Sequence, residues 1–190
     1  MNYTASPSIA MATQALSDGR VLAYPTEAVW GLGCDPWDEC AVHKLLALKS
    51  RSVEKGLILI SGDIAHFSGL LAGLDDNCQQ KLSQSWPGPF TWLVPHRGLV
   101  PSWITGQFDT VAIRVSAHPY VRAITHAFGG AIISTSANPQ GLEPARFAWQ
   151  VAKYFRNSTE PVITGGQVGQ QRNPSTVRDA ITNQLIRAGG

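Results

Sequence analysis

A chain of 190 residues is long enough to bury a core without help from disulfides or a structural metal. A formal net charge of +2 and a charged fraction of only 15% argue against a whole-molecule field for nucleic acid and leave polarity mostly to neutral groups. Cys34, Cys40 and Cys78 show no zinc or disulfide spacing, Met1 to Met11 lacks the pattern of a signal peptide, and no window approaches the ~18 apolar residues of a membrane span, so the expectation is a reduced, soluble, cytoplasmic protein.

In chain order, Ser8 is placed to cap a helix to about Leu16, with Ile9, Ala12 and Leu16 on one face and Gly19 as its stop. Val21 to Tyr24 follows as a short strand that runs into the polar break Pro25-Thr26-Glu27. Ala28 to Asp35 alternates bulky residues with glycine, which suits either close backbone approach or a tight sheet corner. Asp38 caps a helix to about Leu48, with Val42, Leu45, Leu46 and Leu48 as its apolar face. Lys49, Arg51 and Lys55 then crowd the link to the buried run Leu57 to Ile60, either as a solvated connection favoured by the helix dipole or as an anion site.

Asp63 to Leu71 and Asp75 to Ser85 read as surface helices, and Trp86-Pro87-Gly88-Pro89 as a break before a strand from Phe90 to Val94. Pro95 to Gly106 reads as loop. Thr110 to Val115 alternates as a strand, with Thr110, Ala112 and Arg114 on one face. An arginine there is costly unless an anion meets it, and an internal acid and a ligand are both open.

Pro119 opens a helix striped by Val121, Ile124 and Phe128 and ended by Gly129-Gly130, which leads directly into the next strand. Phe147 to Phe155 is a further helix, Pro161 to Ile163 a further strand, and Ser175 to Asp179 with Gln184 to Arg187 a hairpin. The glycines of Gly165 to Gly169 do not make a dinucleotide loop, because Arg172-Asn173-Pro174 breaks the helix such a loop requires.

Candidate chemistry gathers at Ala131 to Pro139, where three small apolar residues give way to Ser134-Thr135-Ser136 and, beyond Ala137, Asn138. Ligands of open α/β sheets bind beyond the carboxyl ends of strands, although such a stretch also serves as a turn that bonds only its own backbone. The chain has no G-x-S-x-G elbow, H-E-x-x-H pair, deaminase zinc signature or P-loop, and its five histidines are scattered. What remains is a set of Lys, Arg, Ser, Thr and Asn suited to positioning and charge stabilisation, the main protein contribution to phosphoryl or nucleotidyl transfer.

Read together, Tyr24-Pro25-Thr26-Glu27, Lys49-x-Arg51, Lys55-Gly56-Leu57-Ile58, Trp86-Pro87-Gly88-Pro89, Arg114 with His118-Pro119, Ser134 to Asn138, Asn173 to Thr176 and Ile186-Arg187 resemble the YrdC family, specifically its short threonylcarbamoyl-AMP synthases. Trp30, Ser52 and Ser116 depart from the usual family residues without removing a polar functional group. The resemblance implies a single-domain α/β fold over residues 1–190, core about 9–188, with a twisted mixed sheet, flanking helices and a concave, locally positive face.

It also implies formation of threonylcarbamoyl-AMP and pyrophosphate from L-threonine, bicarbonate or CO2 and ATP, with Mg2+ bound through the phosphates and no protein metal ligands. In that reaction Lys49 and Arg51 would be catalytic, and Lys49, Arg51, Thr110, Ser136, Asn138 and Arg187 would hold ATP. Thr26, Arg114 and Ser134, with Ser175 shared with the nucleotide, would hold threonine. The product serves modification of adenosine 37 in tRNAs reading codons that begin with A, reached directly or through transferase proteins of the TsaD, TsaB and TsaE kind. The competing readings are an RNA-binding module without catalysis and a carbamoyl-transfer domain of the hydrogenase-maturation type.

Overall fold

The computed structural model describes residues 6–171 and 173–189; the expected helix break therefore lies partly outside them, at Arg172, as do the first five residues of the N-terminal stretch read above. Seven α-helices and nine strands are interspersed along these residues, and the strands form one mixed sheet in the order β7-β1-β2-β6-β3-β5-β4-β8-β9. The strands are β1 (Leu22–Pro25), β2 (Trp30–Gly33), β3 (Ile58–Ser61), β4 (Phe90–Pro95), β5 (Thr110–Val115), β6 (Ile132–Ser136), β7 (Val162–Ile163), β8 (Thr176–Asp179) and β9 (Leu185–Arg187). The helices are α1 (Pro7–Ser17), α2 (Glu39–Lys49), α3 (Ser68–Leu71), α4 (Asp76–Ser85), α5 (Ser102–Thr105), α6 (Pro119–Phe128) and α7 (Ala148–Tyr154). None is long and apolar enough to cross a membrane.

The alternation of each strand decides what covers the sheet. On one face Ala23, Leu32, Leu59, Ile113, Ile133 and Trp92 are buried with apolar residues of α2, α4, α5 and α7 in the larger core. On the other, Leu22, Tyr24, Ile60 and Ile132 are buried with Ile9, Ala12 and Leu16 of α1 and Tyr120, Val121 and Ile124 of α6. That second cover is partial. Along β6 the residues on this face are Ile132, then Ser134 and Ser136, and the change from apolar to hydroxyl marks where the helical roof stops.

Several sequence expectations need correction. Ser6, not Ser8, caps α1, its Oγ accepting the Ser8 N–H at 3.4 Å, because Pro7 takes the first helical place. Asp63 does cap the next segment, but that segment is a 3-10 turn, Ile64–Phe67, followed by the single turn α3. The expected loop between Pro95 and Gly106 contains α5, a four-residue turn too short to show periodicity. The β6 ladder does not end at Ile133 but runs through Ser136, so the polar residues are not all past the strand. Asp38, by contrast, caps α2 as expected, its Oδ1 accepting the Ala41 N–H at 3.0 Å.

Candidate active site

The uncovered part of the second face is the floor of the site. Register places Ser134, Ile58, Ala112 and Leu93 in one row across β6, β3, β5 and β4, and sets Gly31 opposite Ser136 and Thr110 opposite Pro95. Two adjoining cavities stand on this floor. One, of about 320 Å³, is lined by Thr26, Arg51, Arg114, Ser134, Ser136, Ser175 and Arg187 among others. Its neighbour, of about 250 Å³, shares Arg51, Gly56, Leu57 and Ile58 and is walled mainly by Leu93, Ile104, Phe108, Ala112 and Ile186, with Thr110. A cationic, hydroxyl-rich compartment thus opens onto an apolar one, a pairing suited to a ligand with an anionic end and a flat apolar end. The mouth expected at strand ends lies on the face of the sheet.

Each wall of the cationic compartment has a local cause. Thr26 sits in the turn joining β1 to β2, where its Oγ1 donates to Val29 O at 2.7 Å and closes the turn. Arg51 follows the left-handed Ser50 that ends α2, and its Nη2 donates to Gly56 O at 2.9 Å and Lys55 O at 3.3 Å. Its Nε is buried without an acceptor, and burial lowers its pKa. Ser175 is buried and shares a hydroxyl hydrogen bond of 2.8 Å with Thr91. Arg187 is exposed as a residue but reaches the wall, donating from Nη2 to Ser175 O at 3.1 Å, and desolvation, then the like charge of Arg114, lower its pKa. Three guanidiniums around one cavity make an anion site by charge and by donor geometry.

Lys49 and Asn138 are placed differently from expectation. Neither lines either of these two cavities; each is joined to the other. The Lys49 ammonium donates to Ser136 O at 2.5 Å, Asn138 O at 2.7 Å and Asn138 Oδ1 at 3.4 Å, while Asn138 Nδ2 donates to Leu142 O at 2.5 Å. Lys49 is only 4% exposed, and burial, with Arg51 adding to it, pushes its pKa down to about 8. The pair fixes the turn that leaves β6 and so holds Ser134 and Ser136 on the floor.

Arg114 answers the open question of its partner. Its Nη2 lies 2.8 Å from Oε2 of Glu27, a residue absent from the sequence-derived site. Glu27 Oε1 in turn accepts from Ser116 Oγ at 2.7 Å and from the Ala117 N–H at 3.1 Å. The sequence marked it only as an acid in the polar break after a buried strand and as part of the stretch Tyr24-Pro25-Thr26-Glu27 that carries the family resemblance, neither of which names a partner. Its partners lie about 89 residues away, beyond the reach of any local pattern. Among the described residues no group of three or more His, Cys, Asp or Glu is arranged to hold a metal ion.

Comparison with known proteins agrees with this architecture. The Sua5/YciO/YrdC family model, described as "Telomere recombination", matches residues 14–189. A threonylcarbamoyl-AMP synthase of Pseudomonas syringae is 53% identical over 95% of this chain and 97% of its own length. Another of that name from Cellvibrio japonicus is 48% identical, covering 98% of both chains. The crystal structure of P. abyssi Sua5 complexed with L-threonine superposes with a TM-score of 0.85 at 33% identity, over 96% of this chain and 54% of that one. This chain therefore spans about half of that solved structure but nearly all of the two synthases.

Proposed function

The chain belongs to the Sua5/YciO/YrdC family, and from that premise we propose that it forms threonylcarbamoyl-AMP and pyrophosphate from L-threonine, bicarbonate or CO2 and ATP, with residues 1–190 acting as one domain. The observation that carries the reading is the two-part cavity: three guanidiniums and three serine hydroxyls beside an apolar compartment. Threonine, its carboxylate on Arg114 and its body against Thr26, Ser134 and Ser175, presents a carbamate formed at its amine. The carbamate oxygen attacks the α-phosphorus of ATP, a new P–O bond forms, and the bond to pyrophosphate breaks. No protein nucleophile enters this account.

Arg51 and Arg187 neutralise charge developing on the departing pyrophosphate, a role worth about 2–4 kcal/mol for a single well-aimed donor. Ser136 orients the phosphates, and the base lies in the apolar compartment near Thr110. Lys49 and Asn138 act first on the shape of the Ser136 turn; the ammonium reaches a phosphate only by giving up one of its carbonyl partners. Mg2+ would be brought by the triphosphate and would add to the charge neutralisation supplied by Arg51 and Arg187. The fragile product passes to a tRNA-modifying transferase, and the protein acts in the cytoplasm.

The test is pyrophosphate release by the purified protein with ATP and Mg2+, omitting threonine and bicarbonate in turn. Release that needs both is expected, and Arg51→Ala should lower it by roughly 10²–10³-fold while the chain stays folded. Release indifferent to threonine would reject the reading. An RNA-binding module would instead show salt-sensitive RNA binding unaffected by threonine.

A further inference from the structure

We propose that Glu27 is the positioning residue for Arg114 and thereby sets the affinity of the cavity for an amino-acid carboxylate, an inference that rests on Arg114 meeting threonine as just described. Arg114 lines the cavity and Glu27 does not, so the acid acts behind the guanidinium. Both side chains are nearly buried, at 12% and 10% exposure, and their 2.8 Å contact crosses from the β1–β2 turn to β5. That contact lacks hydrogen-bond direction: Arg114 Nε and Nη2 and Glu27 Oε2 are buried without a hydrogen-bond partner. Glu27 thus acts here as a counter-charge, and donor capacity on Arg114 stays uncommitted.

The carboxylate is itself fixed from two sides. Ser116 Oγ accepts the His118 N–H at 3.1 Å, which leaves its hydrogen for Glu27 Oε1 at 2.7 Å, and the Ala117 N–H takes the same oxygen at 3.1 Å. These donors lie two and three residues beyond Arg114, so acid and guanidinium are referred to the same segment of chain. On the other side the Gln171 N–H donates to Glu27 O at 3.1 Å and the Gly169 N–H to Thr26 O at 2.9 Å, bracing the turn from the segment after β7. Arg51 and Arg187 line the same cavity as Arg114, so mutual repulsion favours swinging one guanidinium out to water. A fixed negative charge behind Arg114 opposes that movement and leaves the long side chain ordered before the ligand arrives.

Glu27→Gln keeps an acceptor for Ser116 and Ala117 and removes the charge from Arg114. With pyrophosphate release as the assay, KM for threonine should rise roughly tenfold or more while kcat and KM for ATP stay within about twofold. In an Arg114→Gln background, which removes the positive charge, the same change should move KM for threonine by less than about twofold, because the acid acts through that charge. If the buried amide prevents folding, Ser116→Ala removes only one of the two donors on Oε1 and should raise KM for threonine roughly two- to fivefold. An unchanged or lower KM for threonine in whichever variant folds, or a loss shared equally by kcat and ATP, overturns the proposal. Wild-type release that does not require threonine would overturn the synthase reading instead, before any variant is compared.

Discussion

All three N–H donors of Lys49 are committed to oxygens of the turn after β6, and this gives the residue a pH signature with two opposite signs. Its ammonium titrates near 8 in the folded protein against 10.5 for the ordinary side chain. As pH rises through about 8 the neutral amine keeps only two donors, the turn carrying Ser136 loosens, and turnover should fall. Stability moves the other way. Between about 8 and 10.5 the unfolded chain binds more protons at this lysine than the folded one, so the contribution of Lys49 to stability increases with pH. A pH–rate profile should show an alkaline limb near 8 that moves beyond about 10 in Lys49→Arg, since a guanidinium keeps its proton throughout. An unmoved limb would assign the titration to another group.

At the level of elements, β2 is the tightest piece of the floor. Gly31 and Gly33 put no side chain on the site face, and a Cβ on Gly33 would lie 2.4 Å from Ile133 O and 2.8 Å from the Tyr24 ring. Gly33→Ala must therefore push β2 from β6, which should cost about 1–3 kcal/mol in urea unfolding and weaken threonine use along with it. A variant as stable as the wild type would mean that the two strands separate freely. Local patterns announced many of these elements: the alternation of Thr110 to Val115, the Asp38 cap, and Pro119 with Gly129 at the ends of α6. Pairing was not legible, because β2 meets β6 and β4 meets β8 across stretches with no shared local signal. The same limit hid Glu27, whose role depends on Ser116 and Ala117, and it hid the Lys49–Asn138 link, since residue type names a cation but not its acceptor. Arg114, Ser134 and Ser136 stood out as polar groups in strand patterns, whereas Arg51, Ser175 and Arg187 were assigned to the site only through the family resemblance; all six line the cationic cavity.

For the molecule as a whole, the net charge of +2 conceals a strongly cationic interior surface. Inorganic pyrophosphate at about a hundred times its dissociation constant should stabilise the fold by about 2.7 kcal/mol, raising the melting temperature roughly 5–10 °C. Added sodium chloride should shrink the shift, and Arg51→Ala should remove most of it. A shift equal in wild type and Arg51→Ala would place anion binding elsewhere. The sheet order also has a consequence for the protein's birth. The polar cavity draws walls from Thr26 to Arg187, and β1 has β7 as its outer neighbour. On a ribosome, the interval between emergence of the first wall and the last is on the order of ten seconds. A nascent chain carries Arg51 and Arg114 long before Arg187 emerges, so the cluster of three guanidiniums is complete only when synthesis is nearly over.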